Sequence, residues 1–424
     1  MARDRTENRH PLFLFTRQNT SSSAPMQPQA LNFRLCFFMS FLFLGLGVQL
    51  PFLPLWLADR GLTTAEIAAV LSGQIIIRTF GAPLGAFLAD RYKRPVPLIR
   101  LFPLLCAASY LLLSFMQGFE AIFLVAALAS VFLSPVGPIA ENFAIVESAK
   151  AGLDYGKQRL WASVSFIIGT LVSGFALEWM PTSAAVLLIS VSYGALGLAA
   201  FALPDLKPQG GAGQSGTRAG PGDVLKLFRS RIFVIFLLAV SMAQASHALL
   251  YGFGSLHWED LGHSKATIGI LWGIGVVAEV VFFFFSGRLI PAFAPIVLIL
   301  IGCIAGVFRW TATAFDPALW LLMPLQVLHA LTFALTHFGT LHFLMQNVPG
   351  HLRNSAQGLY AACSAGLFMM LATAAAGPLF GAFAGRAYLA MAAMSLVAGG
   401  LAFIVMRISP TRPGVADASG FPHK

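Results

Sequence analysis

Twelve apolar runs follow one another along this chain, with only short polar connections between most of them. They fall near residues 33–57, 64–89, 96–117, 121–146, 159–180, 183–203, 231–257, 265–288, 294–315, 318–345, 355–381 and 386–408. A helix of about 20 apolar residues crosses the hydrocarbon core of a bilayer, so twelve need about 240 apolar positions. Of the 424 residues, 57% are hydrophobic and 10% charged. A soluble domain carries about 25% charged residues, so this chain has too few to coat a water-exposed surface. The expected fold class is an all-α integral membrane protein of twelve transmembrane helices. The longest polar gap, 204–230, is rich in Gly, Pro and Ser and reads as a flexible cytoplasmic linker between two six-helix bundles. The expected organisation is a tail at 1–30, a bundle at 31–203, that linker, a bundle at 231–408 and a tail at 409–424.

The net charge of +10 does not point to nucleic acid, because the basic residues sit in connections rather than on a soluble domain. One side of the bundle receives the N-terminal arginines, Arg91-Tyr-Lys93-Arg94, Lys150, Lys157, the linker, Arg288, Arg353, Arg407 and Arg412. The other receives Arg60, Lys265 and Arg386. The rich side is expected to be cytoplasmic, which puts both termini inside. The apolar patch at 11–15 is too short for a signal-peptide core, and Met26 is an alternative start. Cys36, Cys106, Cys303 and Cys363 lie in or at the ends of apolar runs, without CxxC spacing, and read as buried small hydrophobes.

The two halves share a repeat. Phe52-Leu-Pro-Leu-Trp-Leu-Ala-Asp59-Arg-Gly61 and Phe253-Gly-Ser-Leu-His-Trp-Glu-Asp260-Leu-Gly262 align at an offset of 201 residues, from Phe52 to Phe253. Carried forward, that offset sets Arg78 against Glu279. A duplicated membrane protein with opposite charges at equivalent positions is most simply a two-halved transporter, its solute site between the halves.

Two segments carry a family resemblance. Gly85-Ala-Phe-Leu-Ala-Asp90-Arg91-Tyr-Lys93-Arg94-Pro resembles the cytoplasmic signature of the major facilitator superfamily, with Ala86 in the usual glycine slot and Lys93 for a second glycine. Asp90, Arg91, Lys93 and Arg94 are then expected to gate the inner mouth. Ser134-Pro-Val-Gly-Pro-Ile-Ala-Glu141-Asn, with Leu153-Asp-Tyr-Gly-Lys-Gln-Arg159-Leu-Trp161, resembles the proton-coupled oligosaccharide permeases. It is more similar still to the 3-phenylpropionic acid transporter branch, which shares Tyr251-Gly-Phe253, Val276-Val-Ala-Glu279-Val, Arg309-Trp310 and Leu328-His329. The resemblance implies a twelve-helix major facilitator fold in which Glu141 and Arg159 bind substrate. Trp161, His247 and Tyr251 are expected at the same site.

Arg78, Glu141, Arg159, Glu279 and Arg309 are deep or helix-end charges. Each costs about 2.5–3.5 kcal/mol at mid-bilayer unless paired or facing a water-filled cavity. Glu279 is the favoured proton carrier, with Arg309, His329, His337 and Arg78 around it. The oligosaccharide permeases imply an acid three positions beyond His329, where this chain has Thr332. Glu141, His329 and His337 therefore stay open as carriers, and loss of coupling stays open beside them. No His pair has metal-ligand spacing, and no Walker loop is present, so no metal, nucleotide or other cofactor is expected. The expected energy source is a proton gradient. The expected function is rocker-switch symport of a small organic solute, by resemblance an aromatic carboxylate such as 3-phenylpropionate, with Trp161, Trp272 or Trp310 stacking on its ring. A sugar or nucleoside symporter and a proton-antiport exporter remain as alternatives, followed by a non-transporting receptor or scaffold. No nucleophile–base constellation suggests an enzyme. A monomer in a bacterial-type inner membrane is expected.

Overall fold

A computed structural model describes residues 27–92, 95–204, 221–289 and 293–408. Nearly all of them are helical, as a bilayer demands of a backbone whose polar groups must be satisfied internally. The first bundle contains α1 (Pro28–Asp59), α2 (Thr64–Tyr92), α3 (Pro95–Leu113), α4 (Phe119–Lys150), α5 (Tyr155–Trp179) and α6 (Thr182–Ala202). The second contains α7 (Arg231–Asp260), α8 (Lys265–Leu289), α9 (Pro295–Thr313), α10 (Leu319–Asn347), α11 (353–383) and α12 (Tyr388–Ile408). A short turn at Ala384–Ala387 separates the last two. The protein is a multi-pass membrane protein of twelve crossing helices. Within the span read as a linker, Pro221–Arg229 is a helix whose Leu227 packs into the second bundle's core.

The repeat marks the same turn twice. After α1, Gly61 N–H bonds to Ala58 C=O and Leu62 N–H to Leu57 C=O; after α7, Gly262 bonds to Glu259 and His263 to Trp258. Both glycines have positive φ, 79° and 82°, as this C-terminal cap requires. A capping box then starts α2: Thr63 N–H donates to Glu66 Oε2 at 2.8 Å, and Glu66 N–H to Thr63 Oγ1 at 3.3 Å. In the second half Ser264 Oγ accepts from Thr267 N–H. Helix pairings repeat as well: α1 packs on α5 and α6 as α7 packs on α11 and α12, and α3 on α6 as α9 on α12.

The halves meet where α5 packs on α8, α2 on α11 and α1 on α7. Near the Thr64 and Lys265 ends the approach is backbone to backbone. A Cβ at Gly174 would lie 2.7 Å from Lys265 O. One at Gly377 would collide with Thr64 O and Ala68. Larger residues there would push the bundles apart.

Several helices are irregular. α4 breaks at Ser134-Pro135, α7 at Ser246-His247, and α10 and α11 contain π-helical stretches at Ala330–Leu335 and Ala362–Phe368. Such widened turns re-aim side chains. The four described cysteines are free, with Cys106 and Cys303 buried.

Candidate functional site

A cavity of about 200 Å³ lies between the bundles. From the first bundle α1 gives Phe43 and Leu50, and α5 gives Arg159, Ser163 and Phe166. The second gives Tyr251 and Trp258 from α7, Trp272, Gly275 and Glu279 from α8, Arg309 from α9, and Gln326, His329 and Phe333 from α10. The wall is mostly aromatic and aliphatic, with a few polar groups converging on it, as small-molecule sites usually are.

Arg309 is 1% exposed, and its guanidinium is held by neutral acceptors. Nη2 donates to Gln326 Oε1 at 3.0 Å; Nη1 donates to Thr332 Oγ1 at 3.0 Å and to His329 Nδ1 at 3.3 Å. It also lies 4.5 Å from the centre of the Trp310 ring. Its hydrogen bonds thus go to these three neutral groups rather than to Glu279.

The donor rules fix the tautomers. A guanidinium only donates, so His329 Nδ1 accepts and the neutral ring carries its proton on Nε2. That atom faces Glu279 Oε2 at 3.8 Å, beyond direct hydrogen-bond length. His247 Nδ1 sits 3.0 Å from Gln244 C=O. A carbonyl only accepts, so His247 Nε2 is the acceptor of the Thr332 hydroxyl, 3.0 Å away. The result is one directed chain, from Arg309 through Thr332 and His247 to Gln244. The π-helical turn of α10 makes it possible, because it buries Thr332 toward α7 and α9 while His329 and Phe333 still line the cavity.

Arg159 faces this assembly from the first bundle, one turn into α5. Asp154 caps that helix by accepting Gly156 N–H at 2.9 Å. The Arg159 guanidinium sits 4.2 Å above the Phe43 ring, and its Nη1 is buried with no protein partner. Glu279 lies across the cavity within electrostatic reach of it.

Arg159, Tyr251, Glu279, Arg309 and His329 thus come together in one cavity. His247 stands directly behind the wall, stacked on Tyr251 with ring centres 5.7 Å apart. His337 is further along α10, 3.0 Å from the Tyr360 hydroxyl. Glu141 is half-buried outside the lining, within electrostatic reach of Tyr155, which Arg159 also reaches. Trp161 is 56% exposed and outside the lining. Arg78 is exposed and also outside it. Asp90 and Arg91 fall in the last turn of α2, while Lys93 and Arg94 lie outside the described residues.

Sequence reasoning missed Gln326, Phe43 and Ser163, and it took Thr332 only as a lost acid. Gln326 had a signal: an amide inside an apolar run must find a buried partner. Phe43 and Ser163 had none, since both residue types are ordinary in membrane helices.

A family model described as the MFS_1 like family matches residues 32–390. A probable 3-phenylpropionic acid transporter of Escherichia coli (strain K12) is 30% identical over 362 residues, covering 84% of this chain and 94% of the relative. A maltose permease of Geobacillus stearothermophilus is 27% identical over 332 residues, 78% of this chain and 83% of that one. Among solved structures, the nucleoside transporter NupG superposes with a TM-score of 0.77 at 19% identity, covering 90% of this chain and 100% of that one.

Proposed function

Because this chain belongs to the MFS_1 like family of the major facilitator superfamily, and is a transporter, we propose that it imports a small aromatic carboxylate together with protons. One observation carries the reading: a cation of the first bundle, Arg159, and a carboxylate of the second, Glu279, face the same aromatic-walled cavity. Arg309 spends both terminal nitrogens on protein acceptors and keeps only its inner Nε without a partner. Arg159 keeps a buried Nη1 without a partner, so it is the cation free to take an anionic solute.

Coupling follows from competition. Glu279 and the solute carboxylate both lean on Arg159, so a solute that occupies Arg159 leaves Glu279 best accommodated in its protonated form. The proton and the anion then cross together as the bundles rock about the site. His329, whose Nε2–H faces Glu279, is the neighbour placed to steady the ionised carboxylate once its proton has left. Gating by Asp90 and Arg91 belongs to the same scheme. So does a substrate-side role for Glu141, near Tyr155. The protein acts as a monomer in a bacterial-type inner membrane, both termini cytoplasmic, driven by the proton gradient without a cofactor and without catalysing a reaction.

The second reading is a sugar or nucleoside symporter. The fold shared with a nucleoside transporter and the maltose permease relative favour it. Proteoliposomes with an imposed pH gradient separate the two. Uptake of an aromatic acid, dependent on the gradient, is expected. Uptake confined to sugars or nucleosides would replace the first reading with the second.

A further inference from the structure

α8 presents Trp272, Gly275 and Glu279 to the cavity. Steps of three and four residues stack them in a row along one helix face. At 1.5 Å rise per residue the row is about 10 Å long. It runs inward from the end near Lys265, where the bundles are pressed together.

The two ends of the row differ in chemistry. At the Lys265 end, the Trp272 indole N–H donates to Ser255 Oγ at 2.9 Å. That bond fixes the ring and uses up its single donor, so the surface offered to a solute is an aromatic face. Tyr251 stacks on it with centres 6.1 Å apart and planes 23° from parallel, and His247 stacks behind Tyr251. At the other end are Glu279 and, across the cavity, the free Nη1 of Arg159. Between them Gly275 carries no side chain, and a Cβ there would touch His329.

We propose that this row selects solutes by shape. The aromatic ring rests on Trp272, a short spacer passes over Gly275, and the carboxylate meets Arg159, so the solute binds ring-first toward the Lys265 end. The inference rests on the aromatic-acid reading above. It makes Trp272 and Gly275 specificity-determining residues and Ser255 a positioning residue that holds the ring. Of the three tryptophans considered as ring seats, Trp161 is exposed and Trp310 is buried against Tyr388; Trp272 lines the cavity, and the other tryptophan of the wall, Trp258, is 1% exposed and packs edge-on against it.

Equilibrium binding of butyrate, phenylacetate and 3-phenylpropionate to the full-length protein in lipid nanodiscs tests this. Trp272→Leu should reduce the preference for 3-phenylpropionate over butyrate by about tenfold, and Trp272→Phe should restore most of it. Ser255→Ala should lose part of the preference, with butyrate binding falling less than 3-phenylpropionate binding. A methyl at Gly275 would meet His329 Cβ at 3.6 Å, an ordinary contact, so Gly275→Ala should fold and shift selection toward phenylacetate. Ser255→Ala and Gly275→Ala carry the test whether or not Trp272→Leu folds. An undiminished aromatic preference in Trp272→Leu and Ser255→Ala, or equal losses for both aryl acids in Gly275→Ala, would overturn the inference and leave the transport reading standing. Wild-type protein that binds none of the acids overturns the transport reading, and the inference with it.

Discussion

Glu178, near the end of α5, accepts the backbone N–H of Ala266 at the start of α8 over 2.7 Å. The bond crosses from one bundle to the other. It places a carboxylate at a helix N-terminus, where unsatisfied N–H groups and the helix dipole favour negative charge.

Glu178→Ala should therefore loosen this face. Because the side chain is exposed, the open population should rise only about two- to tenfold. Spin labels on the α1–α2 and α11–α12 connections would read the change. An unaltered distance distribution would mean that the backbone packing alone holds the face shut.

Glu279→Gln should abolish uphill accumulation while sparing exchange of solute across the membrane. The amide fills the same space but carries no titrating proton. Counterflow and gradient-driven uptake in one proteoliposome preparation separate the two activities. Accumulation at the wild-type level in the mutant would end its coupling role.

Arg159→Ala should weaken solute binding about 30-fold, equivalent to ~2 kcal/mol for a lost hydrogen bond to a charged group. The melting temperature should change little, because the guanidinium has one unpartnered nitrogen and stacks on a single ring. Calorimetry with the preferred acid measures the first and a thermal melt the second. Full-strength binding would remove Arg159 from the site.

Gln326→Leu should destabilise the protein by about 1–3 kcal/mol, because Arg309 loses a buried acceptor. Adding Arg309→Met should cost less than the sum of the single changes, since the two residues share one network. Thermal unfolding in detergent supplies the double-mutant cycle. Strict additivity would show that Gln326 does not hold Arg309.

Run lengths and the 204–230 gap were enough to read twelve helices in two sixes. Bilayer thickness fixes helix length so tightly that little else is needed. The repeat sets Gly61 against Gly262, and both take the positive φ of a helix-ending turn, which leaves a residue-specific mark. Arg159, Glu279 and Arg309 were legible for a related reason: a charge in an apolar run stands out. Their partners were not. A helical period does not say which neighbouring helix a side chain meets, and the widened turn of α10 alters that period at Thr332. The sequence places Arg309 in the group around Glu279, and the structure gives it an amide, a hydroxyl and an imidazole as acceptors. Trp161 shows the converse, since its place in a motif carried no information about which way it points.

The closed face is sealed mainly by main chain, with Gly174 against Lys265 and Gly377 against Thr64. Such a seal has no opinion about cargo. Residues of the cavity wall can then change without touching the backbone contacts that close this face. Closure and solute choice thus rest on different parts of the molecule.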